Sequence, residues 1–141
     1  MQFRTDHIHL YATDLDATAR WYCDVLGARV VRSRQSDGRI RTDLRLGDLT
    51  IYLGDAKKLQ TTLGWQLNDA VASPRYGLDH FGLAVDDLDA AAAELRARGA
   101  RITYGPKLLR PGAACLFVEA PDGVTIEILH RDLSVDGVPV E

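Results

Sequence analysis

Two stretches of the chain alternate between apolar and polar or small residues, and both begin after an aspartate. In residues 7–12, HIHLYA, one face of the pattern is apolar, and the other carries two histidines and a tyrosine. Residues 80–84, HFGLA, alternate in the same way and also begin with a histidine. A period of two residues is typical of a β-strand with one buried face. We therefore predict a strand at each of these places.

A helix is predicted after each of the two strands. Aspartates before an apolar, alanine-containing run are typical N-caps, and a glycine just after such a run is typical of a helix end. The predicted cap and stop residues are Asp14 or Asp16 with Gly27 in the first helix, and Asp87 or Asp89 with Gly99 in the second.

The two copies stay aligned beyond these helices. His7 corresponds to His80, and LTIYL at residues 49–53 corresponds to VTIEI at residues 124–128. Such self-similarity indicates a duplicated supersecondary unit. Three more strands are predicted in each copy, at residues 29–34, 40–46 and 49–53, and at residues 101–104, 114–119 and 125–129. The predicted fold class is α+β, with two tandem βαβββ modules.

The repeat also determines the predicted domain organisation. A chain of 141 residues suits a single domain with one core of moderate size. The predicted segments are a first module at residues 5–54, a linker at 55–78, a second module at 79–131 and a tail at 132–141.

Composition and charge restrict the classes of function. The net charge is −3 and the Lys and Arg residues are scattered, which argues against nucleic-acid binding. No apolar run reaches the roughly 18 residues that span a bilayer, so we expect no membrane partner. Residues 1–12 lack the apolar core of a signal peptide, and Cys23 and Cys115 do not make a disulfide framework. A cytoplasmic protein with reduced thiols is expected.

Three residues at matched positions carry metal-binding chemistry. His7 matches His80, and Tyr52 matches Glu127 near the end of each copy. A glutamate in a strand is rarely buried without a partner, and a cation held with two histidines is such a partner. We expect one divalent ion on His7, His80 and Glu127, and these donors suit Fe²⁺, Mn²⁺, Zn²⁺ or Ni²⁺. In the simpler alternative these are ordinary polar residues, and Glu127 pairs with an arginine.

Other polar residues are candidates for roles beside the metal. His9 shares the strand face of His7 and is a candidate acid or base, because imidazole titrates near neutral pH; the alternative is that it only packs there. Tyr52 is expected to point its hydroxyl at the substrate or to line the pocket, since a protonated phenol is a poor metal ligand. Lys107 and Arg110 are expected to flank a turn, where they either hold an anionic substrate or are solvated.

Taken in order, four motifs resemble those of the vicinal-oxygen-chelate superfamily. The superfamily includes glyoxalase I, extradiol ring-cleaving dioxygenases, fosfomycin-resistance enzymes and bleomycin-binding proteins, and the resemblance covers about residues 5–130. The motifs are His7 seven residues before Asp14-Leu15, WYCDVLG at residues 21–27, DHFGLAVDDLDAA at 79–91, and APDGVTIEI at 120–128.

The resemblance implies paired modules that curve into a cup-shaped, barrel-like mixed sheet around one metal ion. It implies His7, His80 and Glu127 as ligands, and in many members a homodimer, sometimes with ligands from both chains. Tyr52 stands where glyoxalase I has a fourth ligand, a glutamate. Phe117 stands where the ring-cleaving and fosfomycin enzymes commonly have a tyrosine.

We therefore expect a metal-dependent enzyme that acts on a small, vicinally oxygenated substrate. Because Tyr52 replaces the fourth carboxylate, we place an Fe²⁺ ring-cleavage-type dioxygenase slightly ahead of a glyoxalase-like lyase or isomerase. Further alternatives are a fosfomycin-type transferase and a drug-sequestering resistance protein without turnover. The expected partners are a small-molecule substrate and a second copy of the chain.

Overall fold

The computed structural model describes residues 1–64, 66 and 76–134, which fall into two compact units, Met1–Asp69 and Ala70–Glu141. Residues 65 and 67–75 of the predicted linker and residues 135–141 of the predicted tail lie outside these described residues. Each unit has a sheet of its own.

The described part of the first unit holds one four-stranded sheet and two helices. The sheet has the strand order β1-β4-β3-β2, with β1 parallel to β4 and the other neighbours antiparallel. The elements in chain order are β1 (His7–Ala12), α1 (Leu15–Leu26), β2 (Arg29–Arg34), β3 (Ile40–Leu46), β4 (Leu49–Asp55) and α2 (Ala56–Leu63).

The described part of the second unit repeats this topology. Its sheet has the order β5-β8-β7-β6, again with one parallel pair, β5 and β8. The elements are β5 (His80–Ala84), α3 (Leu88–Ala97), β6 (Arg101–Arg110), β7 (Ala113–Ala120), a 3₁₀ turn at Pro121–Gly123 and β8 (Val124–Arg131). The predicted α+β class with two βαβββ modules is therefore confirmed, and each sheet is open.

Equivalent aspartates begin the two main helices. The carboxylates of Asp14 and Asp87 each accept a hydrogen bond of 2.9 Å, from the backbone N–H of Ala17 and of Ala90. Of the two aspartates offered by each motif, the first is therefore the N-cap, and it satisfies a donor that the first helical turn leaves free. None of the described helices is long and apolar enough to cross a bilayer.

In each unit, one face of the sheet is buried against its helix. Tyr22 of α1, Leu44 of β3 and Ile51 of β4 are fully buried, and α1 contacts β2, β3 and β4. In the second unit Leu116 and Ile126 are fully buried in the same way. Because side chains alternate across a strand, the residues between these core positions lie on the other face. The candidate histidines and Glu127 lie on these other faces.

The sixth strand differs from its prediction. It is predicted at residues 101–104, but β6 runs from Arg101 to Arg110. Lys107 therefore pairs with β7 inside the strand, and Arg110 ends the strand directly before the turn at residues 111 and 112. Its register with β7 shifts three times. Such irregularities break the alternation by which a strand is found, and Gly105-Pro106 has the composition of a chain break.

Candidate functional site

His80 and Glu127 face each other on adjacent strands of the second unit. β5 and β8 are parallel neighbours, and Glu127 lies beside Gly82. His80 Nε2 is 3.2 Å from Glu127 Oε2, and their side chains are 32% and 18% exposed. A Cβ built on Gly82 would lie 3.8 Å from Glu127 Oε2, so the missing side chain leaves space beside this pair.

Asp79 holds the other nitrogen of the same ring. His80 Nδ1 is 2.8 Å from Asp79 Oδ2. The hydrogen bond to Asp79 raises the pKa of His80, burial opposes this, and the charge of Glu127 adds to the rise. A carboxylate on one imidazole nitrogen fixes the ring and directs the other nitrogen outward, as is usual for histidines that bind metals.

Two residues of β7 enclose the pair. The Phe117 ring meets the His80 ring edge-on, with centroids 5.2 Å apart and an interplanar angle of 84°. The thiol of Cys115 is fully buried, and its pKa is raised by that burial and, to a smaller extent, by a hydrogen bond to Glu127. This corner of the second unit therefore has an apolar wall beside its carboxylate.

The His80–Glu127 pair fits two ligands of one cation. Two donor atoms at about 2.1 Å from a metal and at right angles are about 3 Å apart, close to the observed separation. An imidazole nitrogen and a carboxylate oxygen are ligands of Fe²⁺, Mn²⁺, Ni²⁺ and Zn²⁺. Within either unit, the described residues hold no cluster of three His, Cys, Asp or Glu side chains able to bind an ion.

The first unit repeats the Asp-His arrangement. His7 Nδ1 is 2.6 Å from Asp6 Oδ1, as His80 is from Asp79. The residue opposite differs, because Tyr52 takes the position of Glu127. The His7 ring stacks on the Tyr52 ring with centroids 3.8 Å apart and an interplanar angle of 17°.

Arg41 covers the other face of Tyr52. Its guanidinium carbon lies 4.1 Å from the ring centre. His7 and Arg41 are both about 4 Å from that centre, so they must take opposite faces of the ring. Arg41 also donates from Nε and Nη2 to Asp43 Oδ2, at 3.1 and 2.8 Å. The side chain of Asp43 is 8% exposed, and no described donor reaches its Oδ1. Tyr52 is thus clamped in one orientation.

His9 lies beside this stack. Its ring stacks on Tyr11 at 4.7 Å and meets Tyr52 edge-on at 6.0 Å. A Cβ on Gly54 would lie 2.5 Å from atoms of the Tyr11 ring, so the glycine makes room for it. Burial lowers the pKa of His9, and the charge of His7 lowers it further. A neutral imidazole is therefore favoured at this position.

A pocket of about 460 Å³ opens beside His9 and Tyr52, within the first unit. Strands β1, β3 and β4 and helix α2 form its walls, and Arg41 and Lys58 are among the lining residues. Lys107 and Arg110 are placed elsewhere, on exposed β6, where the Lys107 ammonium lies 5.7 Å from the Tyr104 ring centre. The pocket thus gathers two of the candidate residues and leaves Lys107 and Arg110 out.

Several functional contacts were missed by the sequence reasoning. Asp6 and Asp79 were visible, because each directly precedes a candidate histidine in a repeated Asp-His pair. Arg41 and Asp43 carry no such signal, since two charges in a strand are indistinguishable from a solvated face until their contacts are known. Lys58 of α2 falls in the predicted linker, where the sequence did not single it out.

Comparison with known proteins finds one family that matches most of both modules. Residues 4–128 match the Glyoxalase/Bleomycin resistance protein/Dioxygenase superfamily. The lactoylglutathione lyase of Haemophilus influenzae is 30% identical over 134 residues, 94% of this chain and 96% of that protein. A probable lactoylglutathione lyase of Synechocystis is 26% identical over 136 residues, covering 92% and 97%.

A solved structure shares the fold at lower identity. The genomically encoded fosfomycin resistance protein FosX of Listeria monocytogenes superposes with a TM-score of 0.68, covers 95% of both chains and is 15% identical. At this identity the likeness extends to the fold alone.

Proposed function

Because this chain belongs to the Glyoxalase/Bleomycin resistance protein/Dioxygenase superfamily, we propose that it is a divalent-metal-dependent lyase acting on a small molecule with two neighbouring oxygens. The observation that carries the proposal is the His80–Glu127 pair, with its nitrogen and oxygen 3.2 Å apart and Asp79 behind the ring. The relatives named lactoylglutathione lyase support lyase chemistry, and they give no support to the dioxygenase preferred from the sequence.

The proposed ligands are His80, Glu127 and His7. Asp79 and Asp6 would hold the two imidazoles by their Nδ1 atoms and leave Nε2 for the cation. A divalent ion bound by such residues supplies Lewis acidity, which stabilises negative charge on a substrate oxygen. The metal itself and the homodimer expected from the resemblance stay predictions.

His9 is the proposed general base. It lines the pocket, and its ring has a fixed position between Tyr11 and Tyr52. A lyase or isomerase moves a proton beside a carbonyl, and a positioned base contributes roughly 10² to 10⁴-fold to such a step. Since Tyr52 stands where a carboxylate would otherwise serve, the imidazole of His9 would accept and return that proton.

Tyr52 is proposed to bind and orient the substrate. Its ring is fixed between His7 and Arg41, so its hydroxyl keeps one direction. A fixed donor placed before the substrate arrives costs little reorganisation during the reaction. Arg41 and Asp43 would act as positioning residues that hold the ring.

The test combines metal analysis with turnover. Freshly purified protein is expected to hold about one divalent ion per chain by elemental analysis, and His80→Ala and Glu127→Gln should lose it. The control is His130→Ala. His130 lies on β8, the strand of Glu127, and its Nδ1 lies 3.2 Å from the Val85 carbonyl oxygen. Formation or breakdown of lactoylglutathione is assayed first, and His9→Gln should lower kcat by about 100-fold. Metal content equal in all variants, or no turnover in metal-loaded protein, would refute the proposal.

A dioxygenase remains the second candidate because of Tyr52. With a tyrosine in place of a carboxylate, His7, His80 and Glu127 would be the three protein ligands, and Fe²⁺ held by this set of donors would supply the chemistry of a dioxygenase. Oxygen uptake by anaerobically Fe²⁺-loaded protein on a catechol panel would favour this candidate over the lyase.

A further inference from the structure

The pocket of the first unit has apolar walls on several sides. Its volume of about 460 Å³ falls in the range of small-molecule sites. The side chains that make it apolar come from the sheet, from the start of α1 and from α2; they are Leu15, Ile40, Leu53, Leu59 and Leu63. A ligand that fills this space must therefore present a hydrophobic body.

The charged groups of the pocket are mostly engaged. Arg39 pairs with Asp37, and Arg41 pairs with Asp43. Asp55, the carboxylate among the described lining residues, caps α2 by accepting the Lys58 backbone N–H at 3.0 Å. The charges of the two arginines are therefore balanced by aspartates, whereas Asp55 keeps its negative charge as a helix cap.

Lys58 is different from the other cations. It lines the pocket, and its ammonium has no hydrogen-bond or ion-pair partner among the residues that the structure describes. One unpaired ammonium beside apolar walls matches a ligand with one negative group on an apolar body. A phosphate dianion usually meets several donors, so a single cation favours a carboxylate.

We infer that this pocket binds a small amphipathic carboxylate, with its apolar body between the sheet and α2 and its anionic group on Lys58. His9 and Tyr52 line the same pocket, so the bound molecule would lie beside the proposed catalytic residues. The inference rests on the proposed function in one respect: it takes the substrate of the proposed enzyme to be such a carboxylate.

The test uses two probes that differ in charge and not in shape, 2-naphthylacetate and 2-naphthylacetamide. Equilibrium dialysis measures the affinity of both in metal-free protein, and amide NMR shifts locate binding at residues such as Gly54 and Thr62. Wild-type protein is expected to bind the carboxylate about tenfold more tightly than the amide, the effect of one charge-assisted hydrogen bond.

Three variants on α2 isolate the role of Lys58. Lys58→Met should reduce carboxylate affinity about tenfold to that of the amide, whose affinity stays unchanged, and Lys58→Arg should keep the preference. Lys57→Met is the matched control, because Lys57 is the exposed neighbour on the same helix and does not line the pocket. Near-UV circular dichroism checks that each variant is folded.

Three outcomes would overturn the inference: equal affinity of the two probes in wild-type protein, a preference that survives in Lys58→Met, or no binding of either probe. Each is independent of metal and turnover, so it separates this inference from the proposed lyase activity. Selective carboxylate binding in a protein without turnover would refute the enzyme proposal and leave the binding site intact.

Discussion

His80 and His9 each lie on the first strand of their unit, but their surroundings shift their pKa values in opposite directions. Asp79 and Glu127 surround His80 with negative charge, which raises its pKa and favours its protonated form. Burial, the neighbouring His7 and Arg41 lower the pKa of His9, and only Asp43 raises it. The surrounding side chains, not the residue type, decide which imidazole is charged near neutral pH.

This contrast predicts two separate titrations in chelator-treated protein. The ring signals of His80 should titrate above pH 6.5 and those of His9 below it, since 6.5 is the ordinary pKa from which both depart. NMR of the histidine rings against pH measures both midpoints. The raised pKa means that the stabilising contacts of protonated His80 are complete below about pH 6.5 and are lost as the pH rises through its folded value.

Asp79→Asn tests the cause of the His80 shift. Removal of the carboxylate should lower the His80 midpoint and leave the His9 midpoint unchanged. An unchanged His80 midpoint in this variant would show that Asp79 does not determine the charge of the ring.

At the scale of elements, the pairing of β6 with β7 depends on one glycine. Gly105 has φ +77°, and a Cβ there would lie 2.5 Å from the Cys115 carbonyl oxygen and 3.0 Å from the Leu116 Cα. Both obstacles are backbone atoms, which do not move aside as a flexible side chain does. The left-handed conformation and this close approach together require a glycine.

Gly105→Ala is therefore expected to lower the free energy of unfolding by about 3 kcal/mol, the sum of backbone strain and overpacking. The matched control is Gly47→Ala, because Gly47 also has a positive φ, +56°, but a Cβ there meets nothing within 4 Å. That variant should lose only about 1 kcal/mol. Urea denaturation measures both, and equal losses would contradict the steric role of the β6–β7 contact.

The bounds of a strand could be predicted from the sequence where its pairing with the neighbouring strand is regular. β2 and β3 have the predicted bounds, residues 29–34 and 40–46, because their pairing runs without a register shift. β6 was found only over its first residues, since its register shifts interrupt the alternation beyond them. An irregular strand is stabilised by the strands beside it, and the alternation of apolar and polar residues along the chain does not show this contribution.

At the scale of the whole molecule, the family expected from the order of the motifs is confirmed by the match over residues 4–128. The two units have equivalent topology and differ at two matched positions of the candidate site, where the first has His9 and Tyr52 and the second has Gly82 and Glu127. The duplication therefore keeps the scaffold while the residues on the open sheet faces differ.

Metal binding should be visible in the stability of the whole protein. A ligand that binds only the folded state at 100 times its Kd adds about 2.7 kcal/mol. For a chain of this size that raises Tm by about 5–10 °C. Thermal unfolding with Mn²⁺, Ni²⁺ or Zn²⁺ after chelation should show this rise in wild-type protein and not in Glu127→Gln.

Glu119→Gln provides the control for that measurement. Glu119 is a glutamate of the neighbouring strand β7, and its carboxylate pairs with Arg101. This variant should keep the full metal-dependent rise. A rise retained in Glu127→Gln, or lost in Glu119→Gln, would contradict the assignment of Glu127 as a ligand.

The sequence by itself determined the two βαβββ modules, the places where the two main helices begin and the identity of the candidate histidines and Glu127. These follow from local periodicity, capping chemistry and the internal repeat, all of which can be read from the order of residues along the chain. Tertiary structure alone decided that His80 meets Glu127, 47 residues away, that Arg41 and Asp43 clamp Tyr52, and that Lys58 faces a pocket. The physical reason is that such contacts depend on strand register and side-chain rotamers, which the periodicity of a sequence does not encode.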